Sequence, residues 1–228
     1  MDLHLPPPPG PHPVTVVIHG GFWRAKWSKR VCRAVSADLA RRGRAAWNIE
    51  YRRIGKRQGG GWPATFDDVA AAIDLLAERA DPRLDLGDVS VMGHSAGGQL
   101  ALWAAAQRDG RVRLRRVVAQ AAPCDLSAAG AAHELLGGTP EQVPERYAEA
   151  NPIQLVPLGL PILLVHGEDD ETVTVRRSRD FAEAARAAGD DVTLIEPVPG
   201  GHRTHIDPRT SAWRAAAEWL TRPNEEDQ

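Results

Sequence analysis

An α/β fold, with a mostly parallel central sheet and helices on both faces, is what this sequence predicts. Three observations carry the prediction. Short runs of β-branched and apolar residues, such as 14–19 (VTVVIH), 116–121 (RVVAQA) and 161–166 (PILLVH), alternate along the chain with stretches of helical periodicity. The connections are short, which suits strand–helix–strand units. Polar residues capable of chemistry gather at the ends of the apolar runs: His19-Gly20-Gly21, Ser95, Glu168 to Glu171, and His202. In a parallel sheet those strand ends lie on one edge, which is where sites form.

The elements follow in order. Leu3 and Leu5 alternate with polar residues and predict a short edge strand, after which the proline-rich stretch 6–13 is an extended connection. The strand at 14–19 runs into Gly20-Gly21-Phe22-Trp23. Residues 26–42 read as a helix with Val31, Val35 and Leu39 on one stripe and Gly43 as its stop, and 44–51 (RAAWNIEY) as the next strand. A flexible loop at 54–61 leads to Trp62-Pro63, which opens a helix over 64–80 with Phe66, Val69, Ile73 and Leu76 at helical spacing. The run Val89-Ser90-Val91-Met92 predicts a buried strand that ends in Gly93-His94-Ser95-Ala96-Gly97, and a helix bearing Leu100, Trp103 and Ala104 follows at once. Beyond the strand at 116–121, residues 124–157 are irregular, with short helical pieces at 131–136 and 144–150. The strand at 161–166, a helix over 175–188, a strand at 191–196 (DVTLIE) and a helix over 211–220 complete the pattern.

Length and composition bound the function. At 228 residues, 43% hydrophobic and 25% charged, the chain suits one α/β domain over 1–222 with a polar tail at 223–228. A net charge of -2 leaves no electrostatic footprint for nucleic acid or an anionic membrane. No apolar run is long enough to span a bilayer. The start, MDLHLPPPPG, has neither the basic nor the apolar region of a signal peptide, so a cytoplasmic enzyme, monomeric or homodimeric, is expected. Cys32 and Cys124 lie far apart without metal spacing and read as buried thiols. Gly59–Gly61 lacks the Lys-Ser/Thr of a phosphate loop, and no metal or other cofactor is expected.

The Gly93–Gly97 segment is G-x-S-x-G between a strand and a helix. A turn this sharp pushes the Ser95 hydroxyl clear of the sheet, and the glycines answer to close backbone approach. A serine hydroxyl is a weak nucleophile. It needs a base, a group that orients the base, and donors for the developing oxyanion. The amides of Gly21 and Phe22, after the first long strand, and of Ala96, after the serine, are candidate donors. The acid belongs in the loop His166-Gly167-Glu168-Asp169-Asp170-Glu171, and the residues themselves do not choose among its four carboxylates. The base belongs in Gly200-Gly201-His202-Arg203-Thr204-His205, where His202 follows two glycines and His205 competes. Phe22 and Trp23 are expected as aromatic pocket wall beside the glycine loop, with core as the alternative for Trp23, and Trp27 is expected at the entrance, Trp23 and Trp27 being the candidate substrate-binding residues. Glu50, Tyr51 and Arg52 are expected to form a buried polar lock at a strand end, and His94 to shape the serine turn.

HGGFW at 19–23, NIEYRR at 48–53, WPATFDD at 62–68, GHSAGG at 93–98, LGGTPEQVPERY at 136–147, HGEDDETV at 166–173 and GHRTHIDP at 201–208 span nearly the whole chain. Together they resemble the α/β-hydrolase superfamily, and within it the small esterase, lipase and kynurenine-formamidase group with an HGGxW motif. The resemblance implies the α/β-hydrolase fold with a minimal cap and a shortened N-terminal hairpin. It places the acid on Asp170 and the base on His202, with Ser95 as nucleophile. Thr174 stands where that family often has proline. The activity implied is acyl transfer to water, first as a carboxylesterase on small acyl or aryl esters. An arylformamidase acting on N-formylkynurenine is the alternative, and a peptidase of the prolyl-oligopeptidase type comes third. A catalytically silent binding protein on the same scaffold is the rival from another class. The short segment 124–157, broken by glycine and proline, predicts an open pocket without a lid.

Overall fold

The computed structural model describes residues 1–107, 110–127 and 130–222, so the predicted tail at 223–228 lies outside the described residues. Strands β1 (Asp2–His4), β2 (His12–Ile18), β3 (Ala45–Ile49), β4 (Leu84–His94), β5 (Leu114–Gln120), β6 (Ile162–Gly167) and β7 (Val192–Val198) form one sheet in the order β1-β3-β2-β4-β5-β6-β7. Only β1 runs antiparallel, pairing Leu3 with Trp47 of β3. It is the short edge strand expected around Leu3.

Alternation along the strands decides the two faces. Val14, Val16 and Ile18 face one side with Val91, Val117, Ala119 and Leu164, and are covered by α2 (Ala64–Arg79), α3 (Ala96–Ala106) and α6 (Arg176–Ala187). Val17, Met92, Val118, Leu163 and Val165 face the other, under α1 (Arg33–Arg41) and α7 (Ser211–Leu220). Helix α3 is apolar nearly all round because it is buried along its length, Ala96 to Ala105. Cys32 belongs to one core and Cys124 to the other, across the sheet, and both are free.

Several boundaries differ from the sequence reading. The helix predicted from residue 26 begins later, as a 3-10 turn at Lys29–Cys32 leading into α1. Residues 21–27 instead make successive tight turns, closed by Arg24 N–H to Gly21 O (2.9 Å) and Trp27 N–H to Arg24 O (3.2 Å). Strand β4 starts five residues before Val89, through a polar stretch with an irregular register. Its Asp88 carboxylate accepts from the buried Arg44 guanidinium (3.0 Å), which also donates to Thr15 and Ser90 and so ties the lower sheet together. Strand β7 runs past Glu196 through Pro197, which an edge strand tolerates.

Among the described residues, the segment between β5 and β6 carries α4 (Gly130–Leu136), α5 (Pro144–Ala150) and a 3-10 turn at Pro152–Gln154. Ala132, Leu135, Leu136, Tyr147 and Ala150 join the core, so this insertion packs down onto the body of the protein, and the described residues form no separate cap.

Candidate active site

Ser95 sits between the end of β4 and the start of α3 at φ 55 and ψ -124, a conformation L-residues avoid. Holding it costs on the order of 1–3 kcal/mol, which the close-packed turn supplies. A Cβ on Gly93 would lie 2.0 Å from Gly97 O, and one on Gly97 would lie 2.1 Å from Ile18 O. The serine amide donates to Gln120 O at the end of β5 (2.8 Å), which fixes the turn to the neighbouring strand.

The other polar groups converge from the ends of β2, β6 and β7. His202 Nε2 lies 2.9 Å from Ser95 Oγ, and His202 Nδ1 lies 2.7 Å from Asp170 Oδ2. The carboxylate accepts only, so Nδ1 carries the proton and Nε2 is left to accept from the serine hydroxyl. Asp170 Oδ1 accepts the amides of Thr172 (2.8 Å) and Val173 (2.9 Å). Burial opposes ionisation of Asp170, but hydrogen bonds from His166 and His202 and from the Val173 amide outweigh it and hold the carboxyl far below its ordinary value. Of the four candidate acids, Asp170 is the one buried and pointed at a histidine; Glu168, Asp169 and Glu171 are exposed.

His205 is not beside the serine hydroxyl. Its ring is fully buried, stacked at 5.9 Å on His94, and neither ring nitrogen has a hydrogen-bond partner among the described residues. Burial, with the nearby His166, lowers its pKa to about 3. His94 is also lowered to about 3, by burial and then by its histidine neighbours. Its Nε2–H donates to His202 O (2.7 Å), so His94 braces the histidine loop as well as the serine turn.

Beside Ser95, Ala96 is the first residue of α3, where amides have no intrahelical acceptor. The amides of Gly21 and Phe22 have no protein acceptor among the described residues. The close approach of this loop is real: a Cβ on Gly20 would lie 2.6 Å from His94 O and 3.0 Å from Ser95 Cβ. Gly20 thus packs against Ser95, and the amides of the two residues that follow it, Gly21 and Phe22, are uncommitted among the described residues.

The two tryptophans divide. Trp27 is half-buried against Gly21, with the Arg203 guanidinium 4.9 Å from its ring centroid, and so spans from the glycine loop to the histidine loop. Trp23 is corrected from pocket wall to core: it is 2% exposed, and its indole N–H donates to Gln99 Oε1 (3.1 Å). The apolar ring and its one donor are both satisfied inside the protein, while Phe22, at 45% exposure, is the aromatic that faces out. The expected lock is also divided. Glu50 and Tyr51 bond to His19, but Arg52 turns outward to Asp68 on α2 (2.8 Å). Gln99 was missed by the sequence reading. Its signal is a lone amide in the apolar run AGGQLALWAAA, where a buried polar side chain must be holding something. It links Trp23 to Ala150 O (3.0 Å).

Comparison with known proteins agrees with this architecture. Esterase LipQ of Mycobacterium tuberculosis is 28% identical over 227 residues, covering 90% of this chain and 53% of LipQ. Esterase LipC of the same organism is 26% identical, covering 86% of this chain and 54% of LipC, so the chain spans about half the length of the curated relatives it matches. Among solved structures, a truncated carbohydrate esterase from gut microbiota superposes with a TM-score of 0.82 at 24% identity, over 96% of this chain and 88% of that one. The sheet, its helices and these likenesses define an α/β-hydrolase fold. The BD-FAE family model matches residues 1–185, and the chain belongs to that family.

Proposed function

We propose that the protein is a serine esterase that cleaves small acyl or aryl esters through an acyl-enzyme. The observation that carries the proposal is the hydrogen-bonded series Ser95–His202–Asp170, at 2.9 and 2.7 Å, on the edge where the parallel strands end. Esterase is also the activity named for LipQ and LipC.

The chemistry follows from the donors and acceptors. Ser95 Oγ attacks the ester carbonyl carbon while its proton passes to His202 Nε2. Ionised Asp170 holds the resulting imidazolium and keeps its ring in line. The tetrahedral oxygen takes hydrogen bonds from the Gly21, Phe22 and Ala96 amides, which are held before the reaction and need no rearrangement. Collapse expels the alcohol, protonated by His202, and water repeats the sequence to free the acid.

The preference for small substrates rests on α4 and α5. Their apolar residues are used up in the core, so they offer no lid over a long acyl chain. Each additional buried methylene gains at most about 0.8 kcal/mol, and only where apolar wall exists to meet it. Exposed Phe22 and half-buried Trp27 flank the glycine loop and suit a flat aromatic leaving group. Purified protein should hydrolyse p-nitrophenyl acetate or butyrate far faster than the palmitate ester, and Ser95→Ala should lower kcat by roughly 10⁴–10⁶. Unchanged turnover in Ser95→Ala would overturn the proposal, and kcat/KM rising steadily with chain length would overturn the size preference.

A further inference from the structure

His19 poses a question of proton count. Its ring is fully buried, and each nitrogen faces an oxygen: Nδ1 lies 2.8 Å from Gly20 O and Nε2 lies 2.7 Å from Glu50 Oε1. A carbonyl only accepts, and so does an ionised carboxylate. A neutral imidazole has one N–H and cannot serve both. The second proton must reside on the imidazole or on Glu50. Glu50 is partly exposed and accepts the Lys29 amide through its other oxygen (3.2 Å), with Arg53 Nε at 3.8 Å. Solvent contact, an accepted amide and a neighbouring guanidinium all favour the ionised form of this carboxyl. The carboxylate is therefore the ionised partner, and the proton belongs to the ring.

The surroundings fit a cation. Tyr51 stacks on the imidazole at 4.4 Å and 9°, presenting its π face. Burial keeps the Tyr51 hydroxyl protonated, so it remains a donor, and it bonds His19 O (2.8 Å). The other titratable neighbours are His94, whose Nδ1 lies beside Gly20, Cys32 behind Tyr51, and the Lys29 ammonium, which is engaged by Asp2 (2.6 Å).

The position of this charge matters for the next peptide. The Gly20–Gly21 bond is trans, so its C=O and N–H point in opposite directions. His19 Nδ1–H draws the Gly20 carbonyl toward itself and thereby turns the Gly21 N–H the other way. A charged donor on the carbonyl also polarises that peptide and strengthens its N–H as a donor. We infer that His19 is a buried imidazolium, paired with Glu50, that orients and polarises the Gly21 amide for the oxyanion. His19 and Glu50 are positioning residues that act through that amide. The inference rests on the esterase reading for its kinetic consequence, and on donor counting alone for the charge.

Nitrogen-15 NMR of histidine-labelled wild-type protein at pH 7.5 tests the charge without reference to activity. His19→Asn supplies the resonance assignment. Both His19 ring nitrogens should carry hydrogen; one protonated nitrogen would overturn the inference. Kinetics with p-nitrophenyl acetate test the consequence. Glu50→Gln should lower kcat by about tenfold or more with KM within about twofold, a fraction of the loss seen on deleting an oxyanion donor. A folded Glu50→Gln protein with unchanged kcat would overturn the positioning role, and the wild-type NMR spectrum decides the charge even if that variant fails to fold. A protein that hydrolyses no ester at all would instead remove the esterase reading, and the NMR result would still decide the charge.

Discussion

Asp170 lies among four consecutive acids, and no rule of composition or charge singles it out. Its neighbours are ordinary solvated carboxylates. What distinguishes it is a turn after β6 that buries the side chain, caps one oxygen with two amides and leaves the other for His202. That arrangement is tertiary, so only the resemblance to a known family pointed to it in advance. Asp170→Asn should lower kcat by about 10⁴, because the amide can hold the wrong imidazole tautomer, while exposed Asp169→Asn should be nearly silent. Steady-state kinetics of the two variants decide the register, and the reverse pattern would move the acid by one residue. His205 shows the opposite limit of legibility. As a loop histidine near the serine's partner it reads as a competing base, but the short helical turn at Thr204–Ile206 carries it inward and buries it. His205→Ala should therefore destabilise the fold, by roughly 2–4 kcal/mol if the cavity stays open, while folded protein keeps most of its kcat. Urea unfolding and kinetics on the same sample separate the two effects.

At the level of elements, the serine turn was the most legible part of the chain. Strand, G-x-S-x-G and helix each have their own sequence signal, and all three agree. The stated reason for its glycines also holds, with one refinement. Gly93 makes room for Gly97, but Gly97 makes room for the carbonyls of Ile18 and His19 at the end of β2. Backbone meets backbone there, so no side chain can rotate away. Gly97→Ala should lower stability by at least about 1–3 kcal/mol, the usual cost of overpacking, and distort the serine position. A melting temperature unchanged from wild type would contradict the packing. The segment after β2 was less legible. Val31, Val35 and Leu39 extend a helical stripe back toward Trp27, but residues 21–27 are needed as turns over the serine, and Ile54 N–H to Trp23 O (2.8 Å) straps them down. Local periodicity carries no information about that tertiary demand. Trp23 was misplaced for the same reason: its core partner, Gln99, is 76 residues away in sequence.

For the whole molecule, strand–helix alternation specified a parallel sheet with two covered faces, but not the strand order, which depends on crossovers that leave no local signature. Two buried histidines tie the stability of this architecture to pH. His94 and His205 are held neutral in the folded protein, each with a pKa near 3, and in the unfolded chain they bind protons below about 6.5. The unfolded state therefore holds more protons between those limits, and stability must fall as pH drops from about 6.5 toward 3. The slope approaches roughly 1.4 kcal/mol per pH unit for each histidine once the unfolded ring is fully protonated. Asp170 acts in the same direction lower down: its depressed pKa contributes stability above its unfolded value, and that stability is lost as pH falls through the folded one. Unfolding free energies from urea titrations at pH 7.5, 6 and 4.5 should decrease in that order. A flat profile would mean that one or both rings reach solvent. None of the helices described is long and apolar enough to cross a membrane.

The claim on which the functional reading depends is that Ser95 is the nucleophile, activated by His202. A fluorophosphonate reacts with a serine only where a base removes its proton and donors hold the phosphoryl oxygen, so it reports the assembled site rather than one residue. Intact mass and peptide mapping after labelling should show one adduct per chain, on Ser95, and His202→Ala should slow its formation by orders of magnitude. An adduct on another residue, or none in a protein that still hydrolyses p-nitrophenyl acetate, would contradict the account.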